Sequence, residues 1–257
     1  MCHPDAGAPF AGGGEIAERE TWVDSGGPGG PIRATLYRAA AGRGAPGVVI
    51  IHDVFGHGEF YRDMGRRLAA AGFTTLLPDF FHRLGQIQGR DRQAASARRA
   101  RFDERLALAD LAAALRLLRD EEGAPRVGAI GFCMGGTLTM LLAAREPLDA
   151  GVVFYGFPAN RNRTELAPFQ VLDEAERIAA PLLGFWGDRD EGVGMDNVRR
   201  LDEALGRAGK AHEFTIYPGL PHGFLTFDEA APHGGESRDA WARTLAFFEE
   251  HLSMRRG

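Results

Sequence analysis

The sequence has little cysteine: only Cys2 and Cys133 in 257 residues. Two cannot build a disulfide scaffold, and two alone cannot close a structural zinc site. It has one lysine, Lys210, so 29 of its 30 basic residues are arginine. That bias reflects codon usage more than chemistry and carries no functional reading. Positive charge is not in excess. The net charge is −5 and the pI near 5.9, which gives no electrostatic reason to bind nucleic acid. No window reaches the ~18 uninterrupted apolar residues of a membrane span. The opening Met1 to Phe10 lacks the basic and apolar regions of a secretory signal. The expected compartment is therefore the cytoplasm, with both thiols reduced and no membrane partner.

What is present is ordinary for a globular chain: 44% hydrophobic and 25% charged residues. This excludes disorder, collagen-like repeats and coiled coil, and the length allows a sizeable core. Residues 1–15, with Gly12-Gly13-Gly14, read as a flexible tail. Cys2-His3 is half of a metal site without a partner pair and reads as part of that tail. Residues 16–257 read as a single domain, with no internal repeat and no linker long enough to split it. A monomer is the default expectation.

Strand and helix patterns alternate along the chain. Thr21–Val23 and Ile32–Arg38 read as strands around the Gly/Pro turn 25–31. Gly47–Ile51 is a continuous apolar run, as in a strand buried on both faces. A helix is expected over Phe60–Ala71, a strand over Phe73–Leu77, and a long loop over Phe80–Gln93. Ala97–Glu122 reads as one long helix with Leu108, Leu111, Leu115 and Leu118 on one face. Its Arg98, Arg99, Arg101 and Arg105, offset by Asp103 and Glu104, read as a solvated face. Further strands are expected at 126–132, 150–155, 181–186 and 212–217, with helices at 134–144, 198–208 and 238–251 and an irregular excursion over 156–177. The expectation is an α/β fold: a mostly parallel, twisted sheet of about eight strands with helices on both faces.

Three turns that follow strands carry the chemistry. Gly131-Phe-Cys133-Met-Gly135 places glycines two before and two after a nucleophile, the nucleophile-elbow pattern. The position lies at a helix N-terminus, where the dipole favours a thiolate. The bland alternative is a buried cysteine in a glycine-rich turn. A dinucleotide site is a poorer fit, because these glycines do not spell G-x-G-x-x-G. The second turn, Gly187-Asp188-Arg189-Asp190, offers two candidate acids. The Gly-x-x-Asp pattern selects Asp190 and leaves Asp188 as a turn-former. A calcium loop fails there because Gly192 and Val193 stand where Asp/Asn and Gly are needed. The third turn, Tyr217-Pro-Gly-Leu-Pro-His222-Gly-Phe, puts a histidine where a base can reach the nucleophile. The order Cys133, Asp190, His222 is that of the α/β-hydrolases, with intervals of 57 and 32 residues. The other histidines, His52 and His57 among them, lack this placement.

These motifs, with Val48-Val-Ile-Ile-His-Asp53-Val-Phe-Gly56, Tyr-Arg-Asp63 and Pro-Asp79-Phe-Phe, resemble the dienelactone hydrolase family from about residue 20 to 251. Cysteine in the elbow is the most specific element. The resemblance implies hydrolysis of an activated ester or lactone, such as 4-carboxymethylenebut-2-en-4-olide to maleylacetate in catechol breakdown, with no metal or organic cofactor. By position it implies Cys133 as nucleophile, His222 as base and Asp190 as its orienting acid. It implies the N–H groups of Val54 and Met134 as an oxyanion hole. Asp53 stands where the family usually has a glutamate that holds the resting thiol, and is one methylene shorter. Tyr155 matches a pocket tyrosine and Arg83 one of two arginines that grip the substrate carboxylate. On the residues alone, Tyr155 also reads as an aromatic at a core edge and Arg83 as a surface ion-pair residue. Thr226 stands where the second arginine belongs, so Arg161 or Arg163 is a candidate substitute. A different class of function, a non-catalytic ligand binder or a thiol redox sensor, fits the same reactive cysteine.

Overall fold

A computed structural model describes residues 10, 16–39, 42–87, 89, 91–159 and 163–253. Its strands are β1 (Ile16–Val23), β2 (Ile32–Ala39), β3 (Gly47–Ile51), β4 (Thr74–Pro78), β5 (Val127–Phe132), β6 (Ala150–Phe154), β7 (Leu182–Gly187) and β8 (His212–Tyr217). They form one sheet in the order β1-β2-β4-β3-β5-β6-β7-β8. Only β2 runs against its neighbours; the pairs from β4 across to β8 are all parallel.

The apolar runs explain the middle of the sheet. β3, β4, β5, β6 and β7 are buried along their whole length, which requires cover on both faces. Strand β1 is longer than the expected Thr21–Val23. It pairs with β2 from Ile16↔Ala39 to Val23↔Ile32, and its Glu18, Arg19 and Glu20 are exposed, as suits a charged edge strand.

The main helices are α1 (Glu59–Ala70), α2 (Arg92–Arg99), α3 (Glu104–Arg116), α4 (Met134–Ala143), the single turn α5 (Val171–Glu174), α6 (Met195–Arg207) and α7 (Gly234–Leu252). Gly128 and Gly131 of β5 report the two faces. Over Gly128 lie Phe248 and Leu252 of α7; over Gly131 lie Gly135 and Thr139 of α4. Residues three apart on a strand point to opposite faces, so α7 and α4 cover opposite sides. Among the described residues no helix is long and apolar enough to cross a membrane.

Two expectations are corrected between β4 and β5. The loop over Phe80–Gln93 contains a 3₁₀ turn, His82–Leu84, and the start of α2. The single helix over Ala97–Glu122 is two helices. Asp91 caps α2 by accepting from the N–H groups of Gln93 and Ala94, and Asp103 caps α3 by accepting from Arg105 and Leu106. An aspartate that satisfies two orphan N–H groups starts a helix, and so breaks a longer one. The solvated face is corrected too. Arg98 is 2% exposed, lies 3.9 Å over the Phe81 ring and donates to the carbonyls of Gly85 and Val54. Glu104 is buried and accepts from the Phe169 N–H.

The flexible-tail expectation for residues 1–15 lies outside the described residues, Phe10 excepted. The Phe10 N–H donates to Asp63 Oδ1 at 2.6 Å, and its ring lies 5.4 Å from the Arg67 guanidinium.

The strand order reverses between β3 and β5. From β3 the chain goes out to β4, then returns across β3 to β5. A crevice opens at the carboxyl ends of strands where such a reversal occurs. The turns after β3 and β5 carry Asp53-Val54 and Cys133.

Candidate active site

Cys133 joins β5 to α4 with φ 56° and ψ −118°. A left-handed φ at a non-glycine residue is costly and persists only where the surroundings enforce it. Here Cys133 N–H donates to Phe154 O at 3.0 Å and Cys133 O accepts from Thr137 N–H at 3.2 Å. The two flanking glycines are required by contact. A Cβ at Gly131 would stand 2.2 Å from Gly135 O, and one at Gly135 would stand 2.1 Å from Ile51 O. Cys133 is 7% exposed and opens onto a cavity of about 670 Å³.

The turns after β7 and β8 meet this cavity. His222 Nδ1 lies 2.5 Å from Asp190 Oδ2. Since a carboxylate only accepts, Nδ1 carries the proton of this bond, which in a neutral ring makes Nε2 the acceptor nitrogen. Asp190 is 3% exposed, and its Oδ1 accepts from Val193 N–H at 3.1 Å. Asp188 is exposed and does not bond its own turn; its Oδ1 accepts from Gly219 N–H at 2.6 Å, tying the acid turn to the histidine loop. Cys133, Asp190 and His222 all line the same cavity, together with Val54. The structure therefore brings these four expected residues together.

Met134 is the first residue of α4, where a backbone N–H has no partner within the helix. Val54 N–H belongs to the Asp53–Val54 peptide. The carbonyl of that peptide, Asp53 O, lies 2.9 Å from His52 Nδ1 and also accepts from Gly56 N–H at 3.2 Å. A carbonyl only accepts, so His52 Nδ1 donates. The Arg98 guanidinium holds the next carbonyl, Val54 O, at 2.7 Å. Two side chains thus fix the peptide planes on either side of Val54. His52 is fully buried, and burial pushes its pKa down to about 3, so the ring is neutral. Sequence reasoning passed over both His52 and Arg98. The adjacency of His52 to Asp53 was the available signal for one, and nothing local marked the other.

Other expected residues lie elsewhere. Tyr155 is fully buried behind the histidine, with its ring centroid 4.9 Å from that of His222, and is not part of the cavity wall. Asp53 is 2% exposed; its Oδ1 accepts from Phe55 N–H at 2.8 Å, and it too is not part of that wall. Arg83 is turned into the fold. It makes a two-point ion pair with Asp110 (2.5 and 3.1 Å) and donates to Gly30 O. Asp110 also accepts from Ser25 Oγ at 2.6 Å, so a carboxylate of the protein occupies the guanidinium fork. Thr226 is buried, its Oγ1 accepting from Asp228 N–H. Arg163 pairs with Asp173, and Arg161 lies outside the described residues.

One group has the composition of a metal site. Ligand atoms of His52, His57 and Asp79 lie within 4.8 Å of one another. Asp79 accepts from Phe81 N–H at 3.2 Å and from Gln86 Nε2 at 2.5 Å, and lies 3.5 Å from His57 Nδ1. None of the three lines the Cys133 cavity.

The chain is similar to proteins of one family. The model of the dienelactone hydrolase family matches residues 32–252. A carboxymethylenebutenolidase of Rhodococcus opacus is 32% identical over 209 residues, covering 80% of this chain and 82% of that one. A probable 2-oxo-3-(5-oxofuran-2-ylidene)propanoate lactonase of a Bradyrhizobium species is 29% identical over 237 residues, covering 91% and 96%. The crystal structure of a putative dienelactone hydrolase from Klebsiella pneumoniae superposes with a TM-score of 0.83 at 30% identity, covering 92% of this chain and 99% of that one. With the family model spanning nearly the whole sheet and the elbow, acid turn and histidine loop all in place, this chain belongs to the dienelactone hydrolase family.

Proposed function

We propose that the protein hydrolyses an activated ester or lactone, with a dienelactone opened to its acid as the leading substrate type, through a thioester on Cys133. The observation that carries this reading is the His222–Asp190 bond at 2.5 Å in the same cavity as Cys133 on its elbow. In the first half-reaction the Cys133 proton passes to His222 Nε2, and the sulfur adds to the lactone carbonyl carbon. Negative charge grows on the carbonyl oxygen, and the N–H groups of Val54 and Met134 receive it. The tetrahedral species then collapses. The ring C–O bond breaks, and the leaving enolate takes back the proton held by His222. Asp190 keeps the imidazole in the right tautomer and stabilises its charged form. In the second half-reaction His222 takes a proton from water, the hydroxide adds to the thioester, and the C–S bond breaks; the leaving sulfur takes the proton from His222, which restores the Cys133 thiol and the neutral imidazole as the acid is released.

Every group in these steps is a side chain or amide of this chain, so the scheme calls on no metal or organic cofactor. The expected setting is the cytoplasm, on a product of aromatic ring breakdown. The test is turnover of p-nitrophenyl acetate and of a dienelactone. Cys133→Ala and His222→Ala are each expected to lose about 10³-fold or more in kcat. Turnover unchanged in Cys133→Ala sinks the reading. Loss in Cys133→Ala with full retention in His222→Ala favours a thiol sensor instead.

A further inference from the structure

The positions at which the family resemblance expects carboxylate-gripping arginines are spent: Arg83 is held by Asp110, and Thr226 is a buried hydroxyl. Yet the Cys133 cavity is lined by three other arginines, Arg92 and Arg99 of α2 and Arg189 of the turn after β7. Arg92, Ser96 and Arg99 fall at i, i+4 and i+7, which is one stripe of a helix, and all three line the cavity. Among the described residues, none of these arginines makes an ion pair or a side-chain hydrogen bond. Elsewhere the described arginines are commonly paired, as Arg38 is with Glu122, Arg67 with Asp63 and Arg145 with Glu174. The cavity wall holds two carboxylates. Asp190 is bound to His222, which leaves Glu191 as the one acid against three guanidinium groups. The remainder of the wall is largely apolar, with Val54, Phe55, Ala95, Phe157 and Pro221. The buried side of α2 is fixed as well, because Arg98 ties it to Val54 O beside the proposed oxyanion hole.

We propose that Arg92, Arg99 and Arg189 form an anion subsite at the mouth of the Cys133 cavity, which takes a carboxylate carried by the substrate. The inference rests on the proposed ester or lactone chemistry for the choice of substrate. A small acyl compound would lay its hydrocarbon part on the apolar wall, its reacting carbonyl at Cys133 and its carboxylate against α2. Guanidinium groups bind carboxylates by paired, charge-assisted hydrogen bonds.

Two measurements test this. The first is independent of turnover: the rate of Cys133 alkylation by anionic iodoacetate relative to neutral iodoacetamide, followed by peptide mass spectrometry. Uncompensated positive charge is expected to raise this ratio about threefold or more above that of free cysteine at low salt. Arg92→Ala/Arg99→Ala is expected to bring it most of the way toward the free-cysteine value, with Arg189 and the N-terminus of α4 holding the remainder, and Arg92→Lys/Arg99→Lys to keep it. Arg199→Ala, which removes an exposed arginine of α6, serves as a generic charge control. A wild-type ratio no higher than that of free cysteine, no change in the double alanine variant, or an equal fall in Arg199→Ala overturns the proposal. The second measurement is kcat/KM for p-nitrophenyl hydrogen succinate divided by that for p-nitrophenyl acetate. This quotient is expected to fall at least about tenfold in the double alanine variant, and a quotient within twofold of wild type overturns the subsite. If no Cys133-dependent hydrolysis occurs while the alkylation ratio behaves as stated, the hydrolase reading fails and the anion subsite stands.

Discussion

Cys133 and Tyr155 are the two non-glycine residues with positive φ among those described, at 56° and 41°. Both sit directly after a buried parallel strand, β5 and β6, and each is held there by a ladder-like bond from the next strand: Cys133 N–H to Phe154 O, Tyr155 N–H to Phe185 O. The sheet thus enforces the strained backbone at Cys133. The cysteine itself was legible, because two glycines at fixed offsets leave few other reasons for their presence. Tyr155 is expected as the last residue of the strand over 150–155 and stands one residue past the end of β6; its burial behind His222 was not legible, since a tyrosine fits a pocket wall or a core edge equally well.

His52 gives a prediction at this same scale. Burial holds its folded-state pKa near 3, against an ordinary value of about 6.5. Below pH 6.5 the unfolded chain therefore binds a proton that the folded chain does not. The stability tied to a neutral His52 is complete above pH 6.5 and falls as pH drops toward 3. Between pH 6.5 and 4.5 this group alone is expected to cost about 2–3 kcal/mol. Urea unfolding at the two pH values, for wild type and His52→Gln, measures it. The pH-dependent loss should be smaller in the variant by about that amount, and identical losses would remove His52 from the account.

At the scale of elements, α2 is the piece that the sequence pattern divides: its start falls in the expected loop over Phe80–Gln93 and its end in the expected helix over Ala97–Glu122. It has eight residues, of which only Ala95 and Arg98 are buried, so it shows no apolar stripe from which to read a period of 3.6. Its Asp91 cap was the one local signal. What holds it is tertiary. Arg98 reaches the carbonyls of Gly85 and Val54 and stacks on Phe81. Arg98→Ala is expected to destabilise the region by about 2–4 kcal/mol, from lost charged hydrogen bonds and the cation–π contact. Hydrogen exchange over residues 92–99 should speed up, and ester turnover should fall with it because Val54 O loses its anchor. Unchanged protection in α2 would show that the helix stands without Arg98.

At the scale of the whole molecule, Arg83 and Asp110 join three separate segments. Arg83 follows β4, Asp110 is on α3, and both reach the turn between β1 and β2 through Gly30 O and Ser25 Oγ. Both side chains are largely buried. Removing one partner leaves a buried charge uncompensated, at a typical cost of about 3–5 kcal/mol. Arg83→Met is expected to lose stability on that scale in urea while keeping the wild-type iodoacetate ratio at Cys133. A fall in that ratio with stability intact would return Arg83 to the substrate's carboxylate.

The architecture, and the three turns that carry Cys133, Asp190 and His222, follow from local features of the chain. Long apolar runs need two covered faces, tight turns need glycine at stated offsets, and both requirements are local. Cys133, Asp190 and His222 were legible for that reason: each stands in a turn whose chemistry its neighbours declare. Where the arginines went depends on long-range packing. A guanidinium can pair with a protein acid, cap a carbonyl or face a cavity, and flanking residues do not choose among these. Arg83 found Asp110, Arg98 turned inward to Val54, and Arg92 and Arg99 were left on the cavity face of α2. Those choices depend on partners distant in sequence, which chain folding alone brings within reach.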